Sequence, residues 1–197
     1  MKDKEKVDIM FDASSYGVIS SSTVTQLGLH RSIIQELVDE GEIYPYSRGI
    51  YLKKDAWEDE FYLLQQKYKK GIFSYDTALY LLGYTDRTPI KYTMTFPQGY
   101  NAKSLKNENV IIKRAIPKNY SLGISEVKSP SGNSILIYDL ERTLCYIVRG
   151  QGSDIQIVND AMKRYASSNN KDIHKLMNYA EKLNVKKKIM NYMEILL

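Results

Sequence analysis

The sequence predicts an α+β protein of two domains, residues 1–60 and residues 61–197. Apolar residues recur at helical spacing up to Glu40 and then give way to a short run rich in β-favouring residues. Between residues 90 and 139, three apolar segments bounded by Pro, Gly or Asn indicate strands, and from Leu140 onward the spacing is helical again. The acidic stretch Asp55 to Glu60 marks the expected linker between the domains.

The first domain is predicted to contain three short helices. The first holds four apolar residues: Val7, Ile9, Met10 and Phe11. Ser20 or Ser21 can cap the second helix, and Gly28 supplies the turn after it. The third helix runs from His30 to Glu40 and stops at Gly41. The residues that we expect to face the core from this part of the chain are Val24, Leu27, Leu29, Ile33, Ile34, Leu37 and Val38.

A β-hairpin is predicted directly after the third helix. Ser47-Arg48-Gly49 forms its tip, and Pro45 fits an edge strand because it has no N–H to donate. The β-favouring residues of its two strands are Ile43, Tyr44, Tyr46, Ile50, Tyr51 and Leu52. Three short helices followed by a hairpin make a winged helix-turn-helix.

This order of elements predicts a DNA-binding surface. A helix-turn-helix places its second helix in the major groove, where side chains of its N-terminal half meet base edges. Arg pairs with guanine and Gln with adenine, and an arginine at the wing tip reaches phosphates or the minor groove. The predicted DNA-binding residues are His30, Arg31, Ser32, Gln35 and Arg48.

The second domain is predicted to be mixed α/β. The segment EFYLLQQKYKKG forms a helix, and Ser74 is the expected cap of the next one. Its inward residues are Ala78, Leu79, Leu81 and Leu82. Strands are expected in IKYTMTFP, NVIIKRAIP and GNSILIYD, and helices in LERTLCYIVRG, DIQIVNDAMKRYASS, DIHKLMNYAEKLN and VKKKIMNYMEILL.

Charge is distributed unevenly between the two domains. The whole chain has a net charge of +5, but residues 1–60 hold 7 basic and 12 acidic residues and residues 61–197 hold 21 and 11. Phosphate contacts dominate the affinity of DNA-binding proteins, so an acidic first domain needs additional affinity for DNA. We expect this affinity from cooperative or dimeric binding, or from basic residues of the second domain. The candidate basic face for DNA or an acidic partner is Lys163, Arg164, Lys182, Lys186, Lys187 and Lys188.

Catalytic chemistry finds little support in the sequence. Cys145 is the only cysteine, which excludes a disulfide framework and a Cys-rich metal site, and its apolar surroundings indicate a core residue. His30 and His174 have no evident Ser or Cys partner, and neither a phosphate-binding loop nor a dinucleotide-binding motif follows a predicted strand. The sequence therefore predicts no enzyme activity, no metal and no cofactor.

Membrane association is not expected either. The chain has no run of about 18 apolar residues and no apolar segment at its N-terminus. We therefore expect a cytoplasmic protein.

Four segments in a fixed order resemble a known family. They are SRGIYLKK at the end of the winged helix, SYDTALYLLGYTDRTP, FPQG after a strand, and YDLERTLCYIVR. In this order the chain resembles AbiEi, the antitoxin of abortive-infection type IV toxin-antitoxin systems, which act in phage defence. The resemblance covers nearly the whole chain.

The resemblance implies a transcriptional autorepressor that is also an antitoxin. Its winged helix would bind inverted repeats upstream of its own operon, and Arg31, Ser32, Gln35 and Arg48 lie at the reading-helix and wing positions. Its second domain would counteract a nucleotidyltransferase-like toxin encoded in the same operon, without a stable complex. We expect a monomer in solution that could bind cooperatively on DNA.

Two other functions stay open at the level of the sequence. The winged helix could be a protein-interaction adaptor without sequence-specific DNA binding. A nuclease or nucleotidyltransferase would need carboxylates clustered around a metal. The nearest candidates are Asp139, Glu141, Asp154 and Asp160, but nothing in their spacing brings them together, and Asp139 with Glu141 resembles the charge pattern of a helix N-terminus.

Overall fold

The computed structural model of the protein describes residues 7, 11, 17–105 and 108–196. They form two compact units, each built from two segments of the chain. The first unit comprises the described residues of Met1–Lys69 together with Lys128–Ile135, and the second comprises those of Lys70–Val127 together with Leu136–Leu197. The protein is an α+β protein, as predicted. The expected boundary after residue 60 falls inside the first unit.

The first unit combines short helices with a three-stranded antiparallel sheet. Strand β1 (Val18–Ser20) leads into helix α1 (Ser21–Gln26), and helix α2 (Ser32–Asp39) leads into strands β2 (Ile43–Ser47) and β3 (Ile50–Lys53). The strand order is β1-β3-β2, so β2 is an edge strand. Of the first predicted helix, Val7 and Phe11 are helical and buried, while Ile9 and Met10 lie outside the described residues. The winged helix-turn-helix as a whole therefore stays a prediction.

The core of the first unit lies on both faces of this sheet. On one face, apolar residues of the sheet pack with Val24, Leu29, Ile34 and Leu37 from the α1–α2 region. On the other face, residues of strands β1 and β3 are buried together with one helical residue: Val18, Ile50, Leu52 and Leu63. Leu63 belongs to helix α3 (Glu60–Lys67), which is therefore part of the first unit. Most of the residues that were predicted to face the core are buried in it or packed against it.

The prediction that Leu27 faces the core is wrong. Leu27 is 48% exposed, because α1 ends at Gln26 and Leu27 occupies the C-cap position, beyond the helical face that Val24 buries. Helix α2 is also shorter than the segment from His30 to Glu40, since Arg31 is its N-cap residue.

A buried carboxylate holds a distant turn in the first unit. Asp59 caps α3 by accepting a hydrogen bond of 3.1 Å from the backbone N–H of Tyr62. Its other oxygen accepts hydrogen bonds from the Ser129 hydroxyl and, at 2.8 Å, from the Asn133 amide. The stretch that was expected to be a linker therefore contains a buried residue and an anchor for residues 128–135.

The second unit contains most of a five-stranded mixed sheet and most of the helices. The strands of this sheet are β4 (Ile72–Phe73), β5 (Tyr92–Pro97), β6 (Val110–Ala115), β7 (Ile124–Lys128) and β8 (Ser134–Tyr138), in the order β6-β5-β4-β8-β7. Lys128 of β7 and Ser134 and Ile135 of β8 belong to the first unit. Helix α4 (Tyr75–Leu81) follows β4, a 3-10 turn spans Lys103–Leu105, and helix α5 (Pro117–Tyr120) follows β6. The C-terminal helices are α6 (Leu140–Ile147), α7 (Ile155–Ser167), α8 (Ile173–Lys182) and α9 (Lys186–Leu196).

The main core of the second unit lies around helix α6, whose residues from Glu141 to Ile147 are all buried. Arg142 is among them with no exposed surface. Its guanidinium lies 4.1 Å from the ring centre of Tyr146 and donates to the carbonyl of Asn119 at 2.9 Å. The three predicted strands and four predicted C-terminal helices are confirmed. Ser74 precedes α4 as expected, but its hydroxyl bonds Thr95 at 2.9 Å instead of capping the helix, and Leu81 and Leu82 are only half-buried.

No helix within the described ranges is long and apolar enough to cross a membrane.

Candidate nucleic-acid interface

Helix α1 and the turn after it are built from hydroxyl-bearing side chains. The Ser20 hydroxyl caps the helix by accepting from the backbone N–H of Thr23 at 3.1 Å, as the sequence predicted. Thr25 donates its hydroxyl to the Ser21 carbonyl at 3.0 Å. All of these groups lie at the surface, so α1 presents a row of polar atoms on the side that Val24 leaves free.

The four predicted reading residues lie at the start of α2. His30, Arg31, Ser32 and Gln35 are all exposed, but only the last two lie inside the helix. His30 Nδ1 is 2.9 Å from the Ser32 hydroxyl, which orders the first turn. Arg31 reaches back to α1, where its Nε donates to the Thr25 hydroxyl at 3.3 Å. Gln35 donates to Asp39 at 2.8 Å, so its amide is already engaged within the helix.

The hairpin tip lies beside the start of α1. The backbone N–H of Ser21 donates to the carbonyl of Gly49 at 2.9 Å. Gly49 has a φ of 76°, a conformation that glycine adopts without strain and that the tight turn requires. Its neighbour Arg48 is exposed at the tip. The structure therefore brings the predicted wing residue to one end of α1 and Arg31 to the other.

A third cation joins this surface from a distant part of the chain. Lys69, just beyond α3, places its Nζ 3.4 Å from the Ser22 hydroxyl. We call the surface formed by α1 with Arg31, Arg48 and Lys69 the α1 strip. Lys69 is not predictable from the local sequence, because it lies 47 positions from Ser22 and only the basic run YKK marks it.

Three acidic residues of the first unit lie at or just beyond the other end of the hairpin: Glu42, Asp55 and Glu58. Glu42 lies opposite Lys54, whose backbone N–H donates to the Glu42 carbonyl at 3.0 Å, and Asp55 and Glu58 follow. A strand of five residues spans about 17 Å at roughly 3.3 Å per residue. That distance exceeds the Debye length of about 8 Å at physiological salt. Glu42, Asp55 and Glu58 therefore act weakly at the α1 strip, whereas Glu36 and Asp39 lie on α2 itself.

The predicted basic residues of the second unit do not form one face. Lys163 and Arg164 line a groove of about 390 Å³ between α7 and the loop after α4. Arg164 donates to the carbonyl of Gly83 at 2.7 Å and lies 3.7 Å from the carboxylate of Asp86. A second groove contains Ile155 and Val158 of the same helix. At 100° per residue, these two residues lie on a different side of α7 from Lys163 and Arg164.

The other four lysines lie at the end of α8 and the start of α9. Lys188 lines the second groove, of about 420 Å³, and donates to the carbonyl of Val148 at 2.8 Å. Lys186 lies 3.6 Å from Glu181. Lys182 and Lys187 are exposed, and neither has a hydrogen bond or ion pair to another described residue. The structure thus divides the residues of the expected basic face between α7 and the α8–α9 region.

The carboxylates considered for a nuclease are also separated. Asp139 and Glu141 lie together, but the ammonium of Lys175 lies between them, at 3.1 and 3.0 Å. Burial opposes its charge, yet the hydrogen bonds to Glu141 and Asp139 prevail and raise the pKa of Lys175. Asp154 caps α7, and Asp160 lines the groove that contains Arg164. Among the described residues, no group of His, Cys, Asp and Glu could hold a metal ion.

Cys145 and His174 do not meet in a site. Cys145 is fully buried, and burial raises the pKa of its thiol to about 12, so it is the core residue that the sequence indicated. His174 is exposed on α8.

Comparison with known proteins supports the fold but identifies neither a family nor a function. No protein-family model and no curated protein matches the chain. Among solved structures, the chain is similar to the crystal structure of the RV2827C protein from Mycobacterium tuberculosis. The TM-score is 0.55 at 12% sequence identity, over 96% of this chain and 80% of that chain. At this identity the likeness concerns architecture, and function must be argued from the site.

Proposed function

We propose that this protein is a DNA-binding autorepressor and antitoxin, with the α1 strip and the start of α2 as its DNA-binding surface. The observation that carries the proposal is the position of three exposed cations, Arg31, Arg48 and Lys69, along one short helix. They come from three distant parts of the chain, and the acidic end of the hairpin lies more than a Debye length away.

Each group has a distinct role in this proposal. The exposed start of α2 enters the major groove, where Arg31 and Gln35 meet base edges. Gln35 exchanges its bond with Asp39 for a base, which costs little because the Gln35–Asp39 pair is exposed. Arg48 and Lys69, both beside the N-terminal end of α1, contact phosphates and fix the register.

Binding to operator DNA tests this part of the proposal. Fluorescence anisotropy would compare the duplex upstream of the gene with a scrambled duplex of the same composition, at two salt concentrations. We expect selective binding to the upstream duplex, together with a salt slope close to −0.9 per phosphate contact. Equal, weak binding to both duplexes would contradict it and favour the adaptor function.

The antitoxin part rests on the AbiEi-like order of segments in the sequence. The toxin would be a nucleotidyltransferase-like protein of the same operon, counteracted by the second unit without a stable complex. Co-expression with the neighbouring gene should restore growth, and a chain with Arg31→Ala and Gln35→Ala should restore it equally. Loss of rescue in that double variant, at equal protein level, would contradict a division of labour between the units.

A further inference from the structure

The Thr25 hydroxyl near the end of helix α1 makes two hydrogen bonds. It donates to the Ser21 carbonyl at 3.0 Å, and its oxygen accepts from Nε of Arg31 at 3.3 Å. The first bond uses the hydroxyl hydrogen and leaves the lone pairs of the oxygen to accept from the arginine. Thr25 therefore links the predicted reading residue, six positions further along the chain, to the backbone of α1.

The turn between α1 and α2 holds these two residues at a fixed spacing. The backbone N–H of Gly28 donates to the Thr25 carbonyl at 3.1 Å. The N–H of Leu29 donates to the Val24 carbonyl, also at 3.1 Å. Val24 and Leu29 are both buried in the core of the first unit. Because buried residues anchor both sides of the turn, packing of the core sets the backbone positions of Thr25 and Arg31.

The bond to Thr25 leaves most of the Arg31 guanidinium open. It engages Nε alone, and within the described part of the chain no other hydrogen bond or ion pair involves Arg31. The guanidinium is planar and carries five N–H donors in a rigid fork, so a bond at Nε restricts the direction in which the two Nη groups point. A bidentate contact with guanine O6 and N7 needs two such donors. Arg31 is therefore restrained and keeps the outer edge that this contact requires.

The same series of hydrogen bonds continues from Thr25 to the hairpin tip. Ser21, which accepts from Thr25, donates its own backbone N–H to the Gly49 carbonyl at 2.9 Å. A Cβ atom on Gly49 would lie 3.5 Å from Ser21 Oγ, so the tip packs directly against the start of α1. Arg48 immediately precedes Gly49. The orientation of Arg31 is therefore set by the same helix that packs against the arginine of the wing.

We propose that Thr25 is a positioning residue, which orients Arg31 for a single guanine of the operator; this role rests on the proposed repressor function. A flexible arginine must be ordered when it binds, and ordering one long side chain lowers affinity by about two- to tenfold. The bond to Thr25 orders Arg31 in part before DNA is bound. Thr25 itself contacts no base and acts only through Arg31.

Hydrogen exchange at Arg31 tests the positioning without DNA. NMR of isotope-labelled arginine side chains would follow the Nε–H signals in the parent chain, in Thr25→Val and in Thr25→Ser. Val has the shape of Thr without the hydroxyl, and Ser keeps the hydroxyl. In the parent chain and in Thr25→Ser, we expect Nε–H of Arg31 to exchange more slowly than that of the exposed Arg48. Thr25→Val should lose this protection. An Arg31 exchange rate that is the same in all three chains would overturn the proposal.

Selection from a library of random DNA duplexes tests the reading of guanine. The parent chain should enrich a motif with guanine at one position, and Arg31→Ala should lose the preference at that position. Thr25→Val should reduce the same preference by about two- to tenfold, and Thr25→Ser should retain it. In an Arg31→Ala background, Thr25→Val should change nothing further, because Thr25 acts through Arg31 alone.

The selection distinguishes the role of Thr25 from the repressor function. A guanine preference that is equal in the parent chain and in Thr25→Val would overturn the role of Thr25 and leave the repressor function standing. A parent chain that enriches no motif would overturn the repressor function and the guanine assignment with it. Urea unfolding should give the same midpoint for Thr25→Val and the parent chain, because Thr25 is exposed. Thr25→Ala, which also lacks the hydroxyl, should reproduce the effects of Thr25→Val.

Discussion

The two units of this protein place their basic residues differently. In the second unit, Arg142 is buried in the core, Lys175 bridges Asp139 and Glu141, and Arg164 and Lys188 donate to backbone carbonyls. In the first unit, cations are fewer, but Arg31, Arg48 and Lys69 lie exposed along α1. Net charge would rank the second unit as the nucleic-acid-binding half. The positions of the cations favour the first, because Arg31, Arg48 and Lys69 lie exposed along one short helix, whereas the basic residues of the second unit are divided between separate regions.

The largest effect is expected where a cation is part of the core. Arg142→Ala removes a fully buried side chain and leaves the Asn119 carbonyl without its donor. We expect it to lower the free energy of unfolding by about 3 to 5 kcal/mol. Urea unfolding followed by circular dichroism would measure this. Arg149→Ala, an exposed arginine just beyond the same helix, is the control and should stay within about 0.5 kcal/mol. An equal effect of both changes would remove the contrast between structural and exposed cations.

Next in size is the effect of Arg31 on specificity. Arg31→Ala should weaken binding to the upstream duplex by about ten- to a hundredfold, the range for a lost bidentate base contact. Binding to the scrambled duplex should change far less. Anisotropy titrations of both duplexes measure the loss of affinity for the upstream duplex separately from that for the scrambled duplex. If both affinities fell by the same factor, Arg31 would be a phosphate contact and not a reader.

Arg48 and Lys69 should have smaller and more even effects. Arg48→Ala and Lys69→Ala should each weaken binding several-fold on both duplexes and reduce the salt slope by about 1. Lys54→Ala is the matched control, because this exposed lysine lies at the acidic end of the hairpin. If Lys54→Ala lowered the slope as much as Lys69→Ala, the α1 strip would not be the phosphate-contacting edge.

The smallest expected effect concerns pH and the core of the second unit. Burial raises the pKa of the Cys145 thiol to about 12, against about 8.5 for an unfolded cysteine. Between these values the unfolded chain loses the proton and the folded chain retains it, so stability falls as pH rises. From pH 8 to pH 9.5 the loss should reach about 1 kcal/mol. Urea unfolding at both pH values should show this loss in the parent chain and a smaller one in Cys145→Ala. The same slope in both chains would assign the loss to other groups.

Much of the fold could be predicted from periodicity. The change from helical spacing to β-favouring residues after Glu40 located α2 and the hairpin, and the strands and helices of the second unit followed from apolar runs and turn residues. Strands β1 and β4 were missed because they have three and two residues, too few to show a period. Strand β7 was missed because its residues are mostly exposed and polar.

The candidate site was only partly predictable. The sequence indicated His30, Arg31, Ser32, Gln35 and Arg48 because the order of elements assigns them to a reading helix and a wing. It could not indicate Lys69, and it grouped six basic residues of the second unit that the structure divides between α7 and the α8–α9 region. Sequence spacing reports neighbours on one element, whereas contacts between elements depend on packing.

The sequence by itself therefore determined the α+β class, the order of most elements and which residues are polar enough to stay at the surface. These properties follow from local periodicity and from the cost of burying polar groups. Only the tertiary structure decided what each cation contacts. Whether a lysine or arginine meets a carbonyl, a carboxylate or solvent depends on residues that are far away in the chain, as Arg164 with Gly83 and Lys69 with Ser22 demonstrate.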